Sequence, residues 1–564
     1  YNGEIYNYIE LRRELKAEGV VFRTDSDTEV LLKLLIKYGV KALQKLLGMY
    51  AFAFHDAEAG KTILARDEFG IKPLYYFAAP NGDLVFASEI KALLQHSLLP
   101  AALSHEGLQH YLTFQLCLKD GTLFENVKTL KPGCYIEWTS GLDKGPEQIR
   151  YWDCNFVVDE DHTESYFLSH LGSLLHDSVR LQLRSDVPVG TYLSGGIDSS
   201  LMTALAAVRS DEPVESFHGR FAEGEMYDES YFAKKMTDAT GANYHEVVPT
   251  AQEFADDLPK LIYHMDEPAA GPGLFPQYCV SKLAAKNVKV ILGGQGGDEI
   301  FGGYARYVVG YLEQALKGAI LEKQEEGKHL VTLSSIIPNL AVLQQYVPMM
   351  KGFWKDGLFD SMDARYFRLI DRSPDLQNLL EDGVMAEHSR EKIYEDFRHE
   401  FNHPDTQSYI NKMTHFDLKT LLPALLQVED RVSMAVSLES RVPLLDRRIV
   451  DLITTMPPRM KFAGGKTKYI LKEVAKVHLP CEVLERKDKM GFPVPLREWM
   501  AEGPVRDMVC DTLLSKASKE RGIFKQEALE ALIDKEARFG RQLWGALCLE
   551  LWHKIFIDKS INFA

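Results

Sequence analysis

The chain has 564 residues, of which 46% are hydrophobic and 26% are charged, and its formal net charge is −16. This length exceeds what one hydrophobic core supports, so we expect at least two domains. The acidic balance argues against a nucleic-acid-binding protein, which needs a basic surface. Seven scattered cysteines without a C-x-x-C pair argue against a zinc site or a disulfide framework. No apolar run is long enough to span a membrane, so we expect a cytoplasmic protein without a membrane partner.

The chain up to residue 150 has the pattern of an α+β domain. Two segments with helical periodicity each end at a glycine, and short strand-like segments separated by turn residues follow them. Such closely spaced strands favour an antiparallel sheet. The predicted helices cover residues 9–18 and 27–38, and the predicted strands cover 49–54, 62–65, 74–77 and 84–87.

From residue 165 onward, strands and helices alternate, which is typical of a parallel sheet covered by helices on both faces. Ligands of such sheets bind at the carboxyl ends of the strands. The pattern becomes mostly helical after residue 305. The predicted strands cover 187–193, 214–217, 244–248 and 288–292, and the predicted helices cover 164–181, 228–239, 252–263 and 277–286, with a further helix after Asp198.

A glycine-rich loop follows the strand predicted at 187–193. Its glycines allow backbone N–H groups to approach an anion, and the helix that begins here directs its positive end to the same place. The loop lacks the lysine of the P-loop motif, which favours cleavage between the α and β phosphates and therefore AMP transfer. We interpret it as a pyrophosphate cradle, with a plain turn as the alternative. Its donors and its magnesium ligand would come from Ser194, Gly195, Gly196, Asp198, Ser199 and Ser200.

A second glycine-rich loop follows the strand predicted at 288–292. Gly293 and Gly294 open it, and two acidic residues, Asp298 and Glu299, close it. So many glycines predict a close approach of the backbone to another group. Asp298 could give the metal held by Asp198 a second carboxylate. Two such loops, each ending a strand and each carrying an aspartate, are stronger evidence for a nucleotide site than either alone.

Together these motifs resemble those of the asparagine synthetase family of glutamine-dependent amidotransferases. The first loop is similar to the family's S-G-G-x-D-S-S motif, and the second to its G-E-G-x-D-E motif. The resemblance extends over nearly the whole chain. Its other motifs are Asn2-Gly3-Glu4, Ser26-Asp27, residues 65–67 and 72–75, residues 428–446, residues 468–472 and Met490-Gly491-Phe492.

The resemblance implies two domains. Residues 1–150 would be a class II glutamine amidotransferase domain of the αββα, N-terminal-nucleophile type. Residues 165–564 would be an asparagine synthase domain, in which a parallel-sheet fold like that of the adenine nucleotide alpha hydrolases is followed by a helical part. The family's nucleophile, an N-terminal cysteine before the Asn-Gly-Glu motif, is absent from this sequence. We therefore expect the N-terminal domain to be incomplete and the chain as given to lack glutaminase activity, and glutamine hydrolysis by this chain would contradict that expectation.

The resemblance also assigns roles in the N-terminal domain. Asn2 and Gly3 would bind glutamine and form the oxyanion hole for its hydrolysis. Glu4 and Asp27 would bind the α-amino group of glutamine. The alternative for Asp27 is a helix N-cap before the helix predicted at 27–38.

In the synthetase domain the resemblance places Lys468 beside the α-phosphate. Its positive charge would neutralise the negative charge on that phosphate in the transition state. A solvated lysine is the alternative for Lys468, and a core residue is the alternative for Leu193. The remaining assignments concern nucleotide, metal and acceptor binding. The positions implied for ATP are Leu193, Ser194, Gly195, Gly196, Asp198, Ser199, Ser200, Gly219, Gly293 and Gly294, those for Mg²⁺ are Asp198 and Asp298, and those on the acceptor side are Arg431, Glu439 and Arg441.

Arginines suit phosphate or carboxylate binding because their planar donor groups match these anions. Arg431 and Arg441 could instead form structural ion pairs with Glu429 or Glu439.

Position 295 departs from the family, because Gln295 stands at a catalytic position where asparagine synthetases typically carry glutamate. A glutamine cannot accept a proton at neutral pH, so either another group such as Glu299 is the base or the acceptor differs from aspartate.

The function that follows from the resemblance is ATP- and Mg²⁺-dependent amidation of a carboxylate through an acyl-adenylate, with aspartate and glutamine-derived ammonia as the first choice of substrates. The expected partners are small molecules and, in a homodimer, a second copy of the chain. One alternative keeps this chemistry but changes the acceptor, to a surface-sugar carboxylate or to amide ring closure. Another alternative, from a different class, is a non-catalytic regulator that retains the scaffold.

Overall fold

The structure is a computed structural model that describes residues 1–139, 145–268, 271–321, 325–327, 347–385, 387–463, 466–486, 491, 493–535 and 541–563, without the side chains of 348, 387 and 388. Of the sequence motifs above, Met490 and Phe492 lie outside the described residues. Among the helices that the structure describes, none combines the length and the apolar character needed to cross a membrane.

The N-terminal part contains two antiparallel sheets, as predicted. Strands β1, β2, β3, β7 and β8 form one sheet in that order, and β5, β4 and β6 form the other. The strands are β1 Asn2–Ile5, β2 Gly48–Asp56, β3 Lys61–Arg66, β4 Tyr75–Ala78, β5 Leu84–Ala87, β6 Lys128–Thr129, β7 Cys134–Thr139 and β8 Gln148–Arg150. The helices are Tyr8–Ala17, Asp27–Tyr38, Ile90–Leu93 and His105–Phe114.

The alternation of side chains along β2 explains how these elements are layered. Tyr50 and Phe52 point to one face of the sheet and pack with Leu11 and Val30 of the first two helices. Ala51, between them in sequence, points to the other face and belongs to the apolar cluster that joins the two sheets. The second sheet packs its own far face against the helix His105–Phe114. The layers therefore follow the expected α-β-β-α order.

The second part of the chain is built on a parallel sheet of strand order β11-β10-β9-β12-β13. Four of its strands agree with the predicted ones, whereas β13 was not predicted because Glu-Ser-Arg offers no apolar run. The strands are β9 Val189–Tyr192, β10 Glu215–Gly219, β11 Asn243–Val247, β12 Val290–Leu292 and β13 Glu439–Arg441. The accompanying helices are Glu164–Gln182, Ile197–Ala207, Ser230–Thr240, Ala251–Met265, Leu274–Ala284 and Gly297–Phe301.

The rest of the chain is mostly helical, as predicted, apart from the small hairpin β14 Phe462–Ala463 and β15 Lys466–Thr467. The helix Leu421–Met434 packs against Leu274–Ala284 and β13, so it reaches the edge of the parallel sheet. The other helices are Ala305–Leu321, Val347–Phe353, Met362–Ile370, Ser373–Leu376, Glu387–Phe401, Tyr409–Lys419, Arg447–Thr455, Tyr469–Ala475, Cys481–Leu484, Leu496–Trp499, Pro504–Leu513, Lys516–Arg521, Gln526–Lys535 and Gln542–Trp552.

Candidate functional site

The two glycine-rich loops lie against each other at the carboxyl ends of β9 and β12, which are neighbours in the parallel sheet. A Cβ atom on Gly294 would lie 2.7 Å from the backbone nitrogen of Ser199. A Cβ atom on Gly297 would lie 2.4 Å from Oδ1 of Asp198. Real Cβ contacts are not this short, so only glycine lets the second loop pack on the first. The two loops therefore pack closely against each other, whereas the metal that the sequence predicts between them stays a prediction.

Replacement of Gly294 by alanine is expected to push the loops apart. The new methyl group would meet backbone and not a flexible side chain, so we expect about 2 kcal/mol of destabilisation and a severe loss of nucleotide-dependent activity. Gly172→Ala is the matched control, because a Cβ there meets only Val474 Cγ1, at 4.0 Å, and alanine favours the helix Glu164–Gln182. Denaturant titrations and activity assays would measure both variants, and equal behaviour of the two would contradict the close approach.

Hydroxyl groups hold the first loop in its bend. The backbone N–H of Ser194 donates to Oγ of Ser199 at 3.1 Å, and the N–H of Gly196 donates to Oγ of Ser194 at 3.3 Å. Gly195 has a φ of +73°, which a residue with a side chain rarely adopts. Ser200 is fully buried, and its hydroxyl has no hydrogen-bond partner among the described residues. The loop is thus shaped at the start of the helix Ile197–Ala207, where an anion would be bound.

Lys468 connects the two aspartates. Its Nζ lies 2.7 Å from Oδ2 of Asp198 and 2.6 Å from Oδ1 of Asp298, and the side chain is buried. Burial alone would lower the pKa of this lysine, but the two carboxylates outweigh it and raise the pKa above its ordinary value. The lysine is therefore charged, and the alternative of a solvated lysine is wrong.

The same cluster has the chemistry of a magnesium site. Asp198 and Asp298 bring two carboxylates to one cation, and Mg²⁺ prefers such oxygen ligands together with phosphate oxygens. A Cβ on Gly303 would lie 1.9 Å from Oδ1 of Asp298 and 2.1 Å from Cε of Lys468, so an alanine there would displace both side chains of the cluster. The residues present thus fit a magnesium ion shared with a nucleotide.

The other positions implied for ATP also lie at strand ends. Leu193 directly follows β9, its N–H donates to the Phe217 carbonyl at 2.9 Å, and its carbonyl contacts Nδ1 of His218 at 2.7 Å. Its side chain is buried in an apolar cluster, so the side chain is a core residue and only the backbone can contact a ligand. Gly219 ends β10, and the N–H of Gly293 donates to the Arg441 carbonyl at 2.7 Å.

Glu429, which the sequence suggested only as an ion-pair partner, lies beside the second loop. Nε2 of Gln295 donates to its Oε2 at 3.2 Å, and the Gln277 amide and the Ser440 hydroxyl also donate to the carboxylate. Burial raises the pKa of Glu429, and these hydrogen bonds moderate the rise. A Cβ on Gly293 would lie 3.2 Å from Oε1 of Glu429. The contact between positions 295 and 429 left no signal in the sequence.

The structure places Arg431 away from the expected glutamate partners. Its guanidinium donates to the Ser88 carbonyl and lies 3.4 Å from carboxylate oxygens of Asp266 and of Glu89. It is buried between the N-terminal domain and the synthetase part. The proposed pairing with Glu429 or Glu439 is therefore wrong for Arg431, and its role on the acceptor side stays a prediction.

Arg441 forms the structural ion pair with Glu439 that the sequence analysis gave as its alternative role. It pairs with Glu439 at 2.7 Å and donates to the carbonyls of Gln182 and Arg184, both at 2.7 Å. Its guanidinium also lies over the ring of Tyr6 in the N-terminal domain, 5.4 Å from the ring centre. A role of Arg441 and Glu439 in acceptor binding stays a prediction.

The Asn2-Gly3-Glu4 motif forms β1 and pairs with β2. Gly3 has a φ of +146°, and a Cβ there would lie 2.0 Å from the carbonyl oxygen of Met49. A glycine is therefore obligatory at this position. The missing side chain makes room for the backbone of β2, and the roles of Asn2 and Gly3 in glutamine binding stay predictions.

Asp27 is not the N-cap of its helix, so the alternative role considered for it is wrong. Ser26 is the cap, with its hydroxyl accepting from the N–H of Thr28 at 3.1 Å. Oδ2 of Asp27 accepts from the Ile5 N–H at 3.0 Å and from the Tyr1 hydroxyl at 2.7 Å. Its carboxylate is thus turned toward β1, where the resemblance places glutamine.

Comparison with known proteins bears on the whole chain. The sequence model of the family described as Asparagine synthase matches residues 170–554, and that of the Glutamine amidotransferase domain matches residues 1–152. The chain is 34% identical over 566 residues to glutamine-hydrolyzing asparagine synthetase 1 of Bacillus subtilis, covering 99% of the chain and 85% of that protein.

Two further relatives differ in the activity that their names describe. A putative glutamine-hydrolyzing asparagine synthetase of Mycobacterium tuberculosis is 33% identical over 600 residues, which cover 100% of the chain and 85% of that protein. Amidase chry2 of Gibberella zeae is 26% identical over 578 residues, which cover 95% of the chain and 83% of that protein. The chain therefore belongs to the asparagine synthase family of carbon–nitrogen ligases and carries a glutamine amidotransferase domain in its first 152 residues.

Proposed function

We propose that the chain converts aspartate to asparagine with ATP and ammonia, releasing AMP and pyrophosphate, and that glutamine supplies the ammonia where the family's nucleophilic cysteine is also present. The observation that carries this proposal is the convergence of Asp198, Asp298 and Lys468 where the two loops meet. The names of the synthetase relatives support aspartate as the acceptor.

The chemistry begins with activation of the carboxylate, because a free carboxylate has no leaving group. The first loop binds the β and γ phosphates, and the ammonium group of Lys468 stabilises the charge that develops on the α phosphate. Mg²⁺, when bound by Asp198 and Asp298, supplies further charge neutralisation for the departing pyrophosphate. Attack of ammonia on the acyl-adenylate then gives the amide and AMP.

Contacts between the two domains support a supply of ammonia through the interior. Lys72 of the N-terminal domain and Asp430 of the synthetase domain form a buried ion pair at 2.8 Å. Arg441 reaches Glu4 of the glutamine motif at 3.9 Å. An interior route excludes bulk water, which would otherwise protonate ammonia to a species that cannot attack a carbonyl.

The proposed glutamine site has a specific pH dependence. Burial and then the charge of Asp27 raise the pKa of Glu4 to about 7, although Arg441 lowers it. Below this pH Glu4 is neutral in the folded protein and loses its attraction for the α-ammonium group of glutamine. We expect glutamine affinity to fall by about tenfold from pH 8 to pH 6. Calorimetry on the parent and on Glu4→Gln would show this, because the variant should bind weakly at both values, and a flat parent profile would contradict the role of Glu4.

The direct test is to supply ATP, Mg²⁺, ammonium chloride and aspartate, and to measure nucleotides and amino acids together. AMP and asparagine in equal amounts are expected. AMP without asparagine would show that the acceptor is wrong, and ADP in place of AMP would contradict the activation step.

A second candidate keeps the activation step but uses another carboxylate, such as a surface-sugar carboxylate or one that closes an amide ring. Gln295 favours it, since the resemblance implies a glutamate at that position and this chain has a glutamine. The relatives named as amidases also support it, because they align along 95% of the chain. Pyrophosphate exchange measured with a panel of carboxylates would distinguish the two candidates.

A further inference from the structure

The proposed amidation requires a proton acceptor near the reacting nitrogen. When neutral ammonia attacks an acyl carbonyl, the new C–N bond leaves a positive charge on nitrogen, and a proton must be removed. Gln295 lies on the second loop, where the resemblance implies a glutamate, and its amide cannot take a proton at neutral pH. A carboxylate that contacts this amide is therefore a candidate for the proton acceptor.

Glu429 contacts the amide of Gln295 directly. Its carboxylate accepts a hydrogen bond from Nε2 of Gln295 at 3.2 Å, and its Oε1 lies near the backbone of Gly293. The carboxylate comes from the helix Leu421–Met434, 134 residues away in sequence, and it reaches the loop across the edge of the parallel sheet. A side chain from another element thus brings a carboxylate next to residue 295, which has an amide and no carboxylate of its own.

The surroundings of Glu429 suit a proton acceptor more than a structural ion. Its donors are the amides of Gln277 and Gln295 and the hydroxyl of Ser440, all of them neutral. Among the described residues no lysine, arginine or histidine forms an ion pair with it, although it is only 4% exposed. A buried carboxylate with neutral partners binds a proton more readily than one paired with a cation.

Its location also fits the direction from which ammonia would arrive. The next residue, Asp430, forms the buried ion pair with Lys72 of the N-terminal domain. On its other side, a Cβ added to Gly293 would meet Oε1 of Glu429, and one added to Gly294 would meet the backbone of Ser199 in the first loop. Because consecutive Cα atoms are about 3.8 Å apart, a short stretch of backbone separates this carboxylate from the nucleotide loop.

We propose that Glu429, held by Gln295, accepts the proton that ammonia loses as it attacks the acyl-adenylate. The inference rests on the proposed function of the site. In this step the C–N bond forms, nitrogen transfers one proton to the Glu429 carboxylate, and the C–O bond to AMP breaks with its electron pair leaving on the phosphate. No oxidant, reductant or further reactant is required.

Glu299, the base that the sequence suggested, has other contacts. Its carboxylate accepts a hydrogen bond from the Tyr304 hydroxyl, and it lies beside Asp298 on the short helix Gly297–Phe301. Among the described residues Glu299 has no hydrogen bond to Gln295, whereas Glu429 has one. The two glutamates can therefore be separated by mutation.

The test compares two half-reactions in the full chain: aspartate-dependent ATP–pyrophosphate exchange, which needs no proton acceptor, and asparagine formation from ammonium chloride. For Glu429→Gln we expect exchange within about threefold of the parent and asparagine formation reduced by about 100-fold or more. The swap Gln295→Glu with Glu429→Gln moves the carboxylate to the other side of the same contact. We expect the double variant to form asparagine at least tenfold faster than Glu429→Gln does. A purely structural role of Glu429 would not allow this recovery.

Glu550→Gln is the matched control. It makes the same chemical change at a buried glutamate, paired with Arg521 on the helix Gln542–Trp552, and is expected to leave the ratio of the two half-reactions unchanged. Glu299→Gln should retain more amidation than Glu429→Gln. The inference is overturned if Glu429→Gln forms asparagine at the parental rate, if both half-reactions fall in parallel without recovery in the swap, or if Glu299→Gln alone abolishes amidation. A parent without aspartate-dependent exchange would instead contradict the proposed function, and the inference with it.

Discussion

Replacement of Asp198 by asparagine is expected to lower ATP–pyrophosphate exchange by about 1,000-fold. The substitution keeps the shape of the side chain but removes a charge that contacts Lys468 at 2.7 Å and that would hold the metal. Asparagine is a weak ligand for Mg²⁺, and an amide facing an ammonium group has one oxygen where the carboxylate has two. Exchange of radiolabelled pyrophosphate into ATP, at saturating magnesium, measures the loss.

A matched control separates this effect from a general loss of charge. Asp211 is exposed beyond the end of the helix that contains Asp198, and Asp211→Asn should leave exchange within about twofold of the parent. Melting temperatures should show that both variants fold. Exchange at the parental rate in Asp198→Asn would remove that residue from the metal site.

The second large effect is expected for Lys468→Met. Loss of the ammonium group should reduce exchange by about 100-fold or more, because this one group contacts both aspartates. It should also destabilise the protein by about 3 kcal/mol in the absence of magnesium, since the two neighbouring carboxylates lose the cation between them. Added Mg²⁺ should restore more stability to this variant than to the parent, because the ion then fills the place of the ammonium group.

Lys476→Met on the same helical segment is the control for Lys468→Met. Lys476 is half-exposed and pairs only with Glu473 among the described residues, so neither exchange nor the magnesium dependence of unfolding should change. Thermal unfolding with and without Mg²⁺ is the measurement. An equal response of Lys468→Met and the parent to magnesium would contradict the shared site.

Much of the fold follows from local patterns in the sequence. The helix Asp27–Tyr38 and the strand Leu84–Ala87 agree with the predicted bounds, because each has a clear period and a turn residue at its end. The two glycine-rich loops were also recognisable. Several glycines directly after an apolar strand are typical of a close backbone approach, and Gly294 shows such an approach.

Features that depend on long-range contacts were not predictable in this way. The contact of Gln295 with Glu429 spans 134 positions, and the strand Glu439–Arg441 is recognisable only once β12 lies beside it. The predicted partners of Arg431 were wrong because its actual partners, Asp266 and Glu89, come from elements that are distant in the sequence. Asp27 was misjudged as a possible cap because Ser26, one residue earlier, performs that role.

The most direct measurement is a crystal structure of the full chain with a non-hydrolysable ATP analogue and Mg²⁺. We expect the β and γ phosphates to contact the backbone of Gly195 and Gly196, with the metal between Asp198 and Asp298 and Nζ of Lys468 turned toward the α phosphate. Phosphates bound away from both loops, or a metal that contacts neither aspartate, would contradict the assignment of this site.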